Sequence, residues 1–359
     1  MLPSPVVMTG ALLKRGAEGG VGNGNGNDND NMAQLPGWAV IVLFADFLVF
    51  FPIFFYIGYT LSSIYPTLAA VEDPQPPAYT SVSLDDESTT APNPVKSDDN
   101  ALTTTSLRRI DRLLRQTAGW TANFRGLACA IFLNIAISFC GIAVSWVIPR
   151  HLGLLAATLA TVQLSTAWTH IVITTPSTLH FWQRLPPFGK TFKATWLPVT
   201  AWWAAFQITL YVPVVLGRAF GLGQWDPSRP TAVPDYNGHA VWQSFIIFVV
   251  TLASAVLLVI PADVILIRVQ ASLLPADADT IVPFDRSFGG KVEPEVVTGR
   301  GYVDFQTAWA TFERASWIRL YKLLAKITAV TFVMYALVLA IVVPEVVLML
   351  KTSEPAGSA

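Results

Sequence analysis

The chain has 359 residues, of which 53% are hydrophobic and 13% charged, where soluble chains average about 25% charged. That balance excludes an ordinary soluble domain and points to a membrane protein. A net charge of −1 argues against nucleic acid as a partner.

Residues 1–37 contain only short apolar pieces and the run GNGNGNDNDN. Such a composition cannot bury a core, so a disordered tail is expected rather than a signal peptide. A bilayer core of about 30 Å needs about 20 apolar residues in a helix. Six segments qualify, at 38–64, 126–148, 152–173, 195–216, 241–267 and 327–350. The expected fold is therefore an all-α, polytopic helical membrane protein with six transmembrane helices. A short tail, 351–359, follows. Pro198 and Pro213 lie near the ends of the fourth span and make it the least secure of the six.

Lys and Arg are unevenly placed. The stretches 65–125, 174–194 and 268–326 carry six, three and eight of them, seventeen in all, against six elsewhere. The positive-inside rule puts those three loops in the cytoplasm and both termini outside it. Two pieces of these loops have helical spacing with one apolar face: 106–116, with four arginines, and 304–326, rich in Trp and Phe. Both are expected as surface helices at the cytoplasmic face, in contact with the lipid bilayer.

Ionisable residues at membrane depth are expensive and mark function. Asp46 and Glu345 lie at depths matching to within about 5 Å from the same side, so they can share a proton or bind a cation. Nearer the other side, His170 and Asp263 also match in depth, and Arg268 is within reach of Asp263. The competing reading is that Asp263 and Glu345 reach headgroup water and His170 bonds within the helices. Small and polar residues at i+4 spacing, Gly153, Ala157, Thr161 and Ser165 in the third span and Asn134 and Ser138 in the second, read as packing and interhelical hydrogen bonds.

Cys129 and Cys140 fall in one span, about 16 Å apart along a helix, too far to bond to one another. The four histidines are scattered without metal-ligand spacing, and no catalytic or nucleotide-binding motif is present. No metal, cofactor or catalytic residue is therefore assigned.

The loop 65–125 holds Pro76-Pro77-Ala78-Tyr79, which resembles the ligand of WW domains. Paired prolines pre-form a polyproline II helix that docks in an aromatic groove with little entropy loss. The resemblance implies a WW-domain partner such as a Nedd4-type ubiquitin ligase. Ser83, ahead of Asp85, Asp86 and Glu87, is a candidate phosphosite for an acid-directed kinase. The plain alternative is a proline-rich linker.

Two further stretches, HIVITTPSTLHFWQRLP at 170–186 and RVQASLLPADADTIVPFDRSFGG at 268–290, resemble uncharacterised multi-pass membrane proteins of filamentous fungi. The similarity covers most of the chain after Pro36. Some of those proteins carry a ubiquitin-conjugating or ubiquitin-carrier label. That label implies a thiolate in a soluble α+β domain, and both cysteines here lie within a span, so the activity is not carried over. Within the second stretch, PFDRSFGG at 283–290 reads as a turn docked under the helices, or alternatively as a partner-binding loop.

Three functions follow as expectations. First is a membrane scaffold or adaptor whose cytoplasmic loops recruit partners. Second is a secondary transporter using Asp46 and Glu345. Behind both stands an intramembrane enzyme.

Overall fold

The computed structural model describes residues 37–73, 102–222, 238–275, 277–292 and 301–352. These are helical almost throughout, with no strand among them beyond a single bridge between Thr174 and Thr280. Five helices are long and apolar enough to cross a membrane, at Trp38–Val71, Thr121–Ser145, Phe188–Ala219, Gly238–Ser272 and Arg314–Met349. A sixth span is formed if the bent pair Arg150–Ala160 and Val162–Ile173 counts as one. The chain is an all-α, polytopic integral membrane protein.

We number the helices α1 (Gly37–Tyr56), α2 (Tyr65–Val71), α3 (Leu107–Ala118), α4 (Leu127–Ser145), α5 (Arg150–Ala160), α6 (Val162–Ile173), α7 (Phe188–Ala219), α8 (Gly238–Ser254), α9 (Ile260–Ser272), α10 (Phe305–Ala310) and α11 (Arg314–Thr352). A π-helical stretch, Ile57–Ile64, joins α1 to α2, and a second, Ala255–Val259, joins α8 to α9. The exposed faces of these helices are lined with large apolar side chains such as Phe44, Phe139, Phe245 and Phe332. In water that surface would be untenable, whereas lipid tails are as apolar as the side chains.

The spans differ from expectation in instructive ways. The first runs on to Val71, beyond residue 64. The fourth is one continuous 32-residue helix that contains both Pro198 and Pro213. The third is broken: α5 and α6 meet at Thr161 with a 58° bend. No Pro or Gly causes it. Thr161 leaves helical geometry, at φ −102° and ψ 15°, and its Oγ1 donates to the carbonyls of Ala157 and Thr158, at 2.9 and 3.4 Å. The predicted surface helix 304–326 is not one element. Asp304 caps a short α10 by accepting from the Thr307 amide at 2.8 Å, and the chain turns before Arg314 starts the long α11. The other surface helix is present as α3, with Ile110 and Leu114 fully buried.

The chain divides into two compact units, 1–66 with 104–112 and 318–359, and 67–103 with 113–317. In the first, α1 and α11 touch where Phe54 meets Tyr335 at 5.0 Å between ring centroids. In the second, α4 and α5 form a close hairpin. A Cβ on Gly153 would lie 3.4 Å from the Gly141 carbonyl, so small residues are what allow the approach, as the i+4 pattern suggests. At one end of this unit, Ala194 of α7, Ile265 and Val269 of α9 and Ala308 of α10 close around Phe288 and Val303.

Candidate functional site

Asp46 on α1 and Glu345 on α11 are brought together, their carboxyl groups in hydrogen-bond contact. Asp46 follows nine residues of apolar helix, and Glu345 is flanked by apolar residues, so no formal positive charge adjoins either in sequence. One oxygen of each carboxyl is enclosed without a hydrogen-bond partner among the described residues. A hydrogen bond between two carboxyls forms when one of them carries the proton that the other accepts. The same oxygens, once deprotonated, form a hard donor set for a small cation.

His170 and Asp263 sit in the second unit, and His170 belongs to a polar network. Its Nε2 lies 2.9 Å from the carbonyl oxygen of Gln270. The Gln270 side chain accepts from Thr169 Oγ1 at 2.7 Å and donates to Ser165 Oγ at 2.9 Å. The network ties α6 to α9, and His170 is buried within it. Asp263 is half-buried on α9. Asn134 and Ser138 bond to carbonyls of their own helix, while Gln163 reaches across to the Pro186 carbonyl at 2.8 Å.

Arg268, which depth places within reach of Asp263, makes an ion pair with Asp73 at 3.3 Å. Arg268 is 1% exposed and lies between the rings of Phe288 and Phe312, 5.0 and 5.1 Å from their centroids. It also donates to the Ala70 carbonyl and to Thr311 Oγ1, each at 3.3 Å. Burial pushes the Asp73 carboxyl above its ordinary value by more than Arg268 pulls it down.

The PFDRSFGG stretch docks on this pair. The Asp285 amide donates to Asp73 at 3.0 Å and the Asp73 amide donates to the Pro283 carbonyl at 3.0 Å. Asp285 in turn accepts from the Ser287 amide and hydroxyl, at 2.8 and 2.6 Å, and from the Gly289 amide at 2.7 Å. Burial pushes this carboxyl up, but those bonds outweigh it and hold the group below its ordinary value. They also sustain Phe288 at φ 50°, a left-handed conformation that an aromatic residue rarely adopts. Arg286 donates to the carbonyls of Pro275 and Ala278.

One more cluster was not anticipated. Arg125, just before α4, donates to the carbonyls of Ile171, at 2.9 Å, and Thr174. Arg184 donates to Thr174 Oγ1 at 2.7 Å. Burial lowers the affinity of Arg184 for its proton. A clue was present in the sequence, since both arginines flank spans on the same predicted side.

Pro76, Pro77, Ala78, Tyr79 and Ser83 lie outside the described residues, as do residues 1–36. What is described is the base of that loop. Glu72, fully buried, accepts from the Thr103 amide at 2.7 Å, so these two residues, which flank the stretch 74–101, are held side by side.

Of the cysteines, Cys129 is buried with its thiol against the Leu164 carbonyl at 3.6 Å, and Cys140 is half-buried. His151 offers its carbonyl to Trp203, His180 caps a short turn, and His239 accepts from Trp242. Compared with known proteins, the chain matches no family model, no curated protein and no solved structure.

Proposed function

We propose that this integral membrane protein binds and releases a proton or a small monovalent cation at the Asp46–Glu345 pair, as a secondary transporter coupled to an ion gradient would. The observation that carries the reading is the contact between two carboxyls on apolar spans, each with an enclosed, unpartnered oxygen. Charge at that depth is retained against a penalty of several kcal/mol, which purely structural helices avoid by using apolar residues. The π-helical stretch eleven residues beyond Asp46 is a feature that recurs at functional sites.

The test uses the full chain in liposomes with a pH-sensitive dye. Adding sodium or potassium to the wild type is expected to release a proton, because cation and proton compete for the pair. Asp46→Asn and Glu345→Gln, each folded, are expected to release none. Proton release unchanged in both variants would end the reading.

A second reading, a membrane adaptor, is favoured by a different observation. Glu72 and Thr103 close the base of the stretch that contains Pro76–Tyr79. With the seventeen-cation side in the cytoplasm and both termini outside it, that stretch is offered to a WW domain as a tethered loop. Tyr79→Ala is then expected to abolish binding of a purified WW domain and to lengthen the protein's lifetime at its membrane. Binding unaltered by the substitution would remove this reading and leave the first intact.

A further inference from the structure

The turn 283–290 lies between α9 and α10, on the side where the basic residues gather, which the positive-inside rule places in the cytoplasm. Its backbone is unusual. Phe288, Gly289 and Gly290 follow one another at φ 50°, 69° and 77°, all left-handed. Such a run persists only where its surroundings fix it. Here two side chains do so. Asp285 accepts from the amides of Ser287 and Gly289 and from the Ser287 hydroxyl, and Ser287 Oγ accepts from the Gly290 amide at 3.1 Å.

The turn held in this way seats two contacts beyond itself. The Asp285 amide sits on the Asp73 carboxyl, and the Phe288 ring covers the Arg268 guanidinium at 5.0 Å. Phe288 is buried, whereas Ser287 beside it is exposed. One surface hydroxyl, 2.6 Å from a carboxylate, therefore helps to keep a buried contact in place. The neighbouring Arg286 guanidinium is turned to the carbonyls of Pro275 and Ala278, and Lys291 is exposed.

A phosphoryl group on Ser287 Oγ would remove the donor that Asp285 uses and set a charge of about −1.5 to −2 against that carboxylate. We propose that Ser287 is a phosphorylation site, and that its modification releases the 283–290 turn from Asp73 and Arg268. The phosphoryl donor is ATP and the catalyst a cytoplasmic serine kinase. The bond from Ser287 Oγ to the γ-phosphorus forms, the bond from that phosphorus to the β–γ bridging oxygen breaks, ADP leaves, and the hydroxyl proton passes to the kinase's base. The site is separate from the Asp46–Glu345 pair and stands whether or not that pair binds an ion.

The experiment has two arms, both on the full chain. In the first, the chain is isolated from its own cells with phosphatases inhibited, and fragment mass spectrometry is expected to find phosphate on Ser287. In the second, phosphoserine is genetically encoded at position 287 and hydrogen exchange is followed in detergent. The reporters are the amides of Asp73 and Asp285, which donate across the dock to Pro283 and Asp73. Both are expected to exchange about tenfold faster than in the wild type, the equivalent of losing one hydrogen bond to a charged group. Ser287→Ala, which removes the donor and adds no charge, is expected to accelerate them less, and Ser287→Glu to fall between. An unphosphorylated Ser287 in the native chain overturns the proposal, even if no altered chain folds. So does exchange that is unchanged or slowed by phosphoserine, as capture of the phosphate by Lys291 would produce, or an acceleration no greater than that of Ser287→Ala.

Discussion

Asp73 and Arg268 form an ion pair at 3.3 Å although 195 residues separate them in the chain. The pair joins the end of the first span to α9, and the aromatic rings on either side of Arg268 shield it from water. Breaking a buried pair leaves an uncompensated charge, which costs about 3–5 kcal/mol. Asp73→Ala should therefore destabilise the second unit at neutral pH by about 3 kcal/mol. Arg268→Met, which removes the charge itself and keeps the bulk, should be milder. Thermal unfolding of both variants in the same detergent checks the order, and a milder Asp73→Ala would contradict it.

The pH dependence of that pair has a definite sign. The folded carboxyl of Asp73 is raised above its ordinary value, chiefly by burial. Its contribution to stability is then present in full at low pH and declines as pH rises through the raised value. Wild type should lose melting temperature on passing from about pH 4 upward through that window, relative to Asp73→Asn, which has nothing to titrate. A parallel course for the two proteins would show that the carboxyl is not shifted upward.

Asp285 should behave in the opposite sense. Its folded carboxyl is held below the ordinary value by the Ser287 and Gly289 donors, so its contribution is present above about pH 4 and is lost on acidification. The amides of Ser287 and Gly289 are the reporters, because both donate to this carboxylate. Their hydrogen exchange, corrected for the intrinsic pH dependence, should accelerate on acidification below that point in the wild type. In Asp285→Asn the same amides should exchange faster at every pH, without a step.

Much of the fold was legible in the residues. An apolar run of about 20 has few alternatives to a membrane helix, and composition alone finds it. The shared depth of Asp46 and Glu345 follows from a constant rise per residue along antiparallel helices. Phe54 and Tyr335 touch at a register consistent with it. What could not be read is whatever depends on tertiary partners. The bend falls at Thr161, whose hydroxyl bonds a carbonyl one turn back, and many threonines in helices make that bond without bending. Asp73, which pairs with Arg268, lies past the predicted end of the first span, where matching depths inside spans does not reach. The two prolines made the fourth span the least secure in the sequence, and α7 carries both within one helix, as a membrane helix can where neighbours satisfy the freed carbonyl.

Gly153 tests the packing of the α4–α5 hairpin. A Cβ there would stand 3.4 Å from the Gly141 carbonyl and 3.5 Å from the Ser145 amide, at the edge of ordinary contact. Gly153→Ala should therefore fold with little loss. Gly153→Leu cannot be placed without separating the helices and should cost about 1–3 kcal/mol, seen as a lowered melting temperature. Equal tolerance of both substitutions would mean that the two helices are not held at this distance.

The carboxyl pair makes a prediction that separates function from stability. At a merely structural site, removing one partner of a hydrogen bond between buried groups weakens the fold. At a site that must load and unload an ion, two carboxyls are kept together although an amide in place of one would supply the donor without needing a proton to be bound. Asp46→Asn should then raise the melting temperature by a few degrees while abolishing cation-linked proton release, the trade expected where activity keeps a destabilised arrangement. Asp46→Ala, which leaves Glu345 without its partner, should lower it. Loss of stability in Asp46→Asn comparable to that in Asp46→Ala would assign the pair to packing, because only then does the native fold need the carboxyl itself and not just a hydrogen bond at that place.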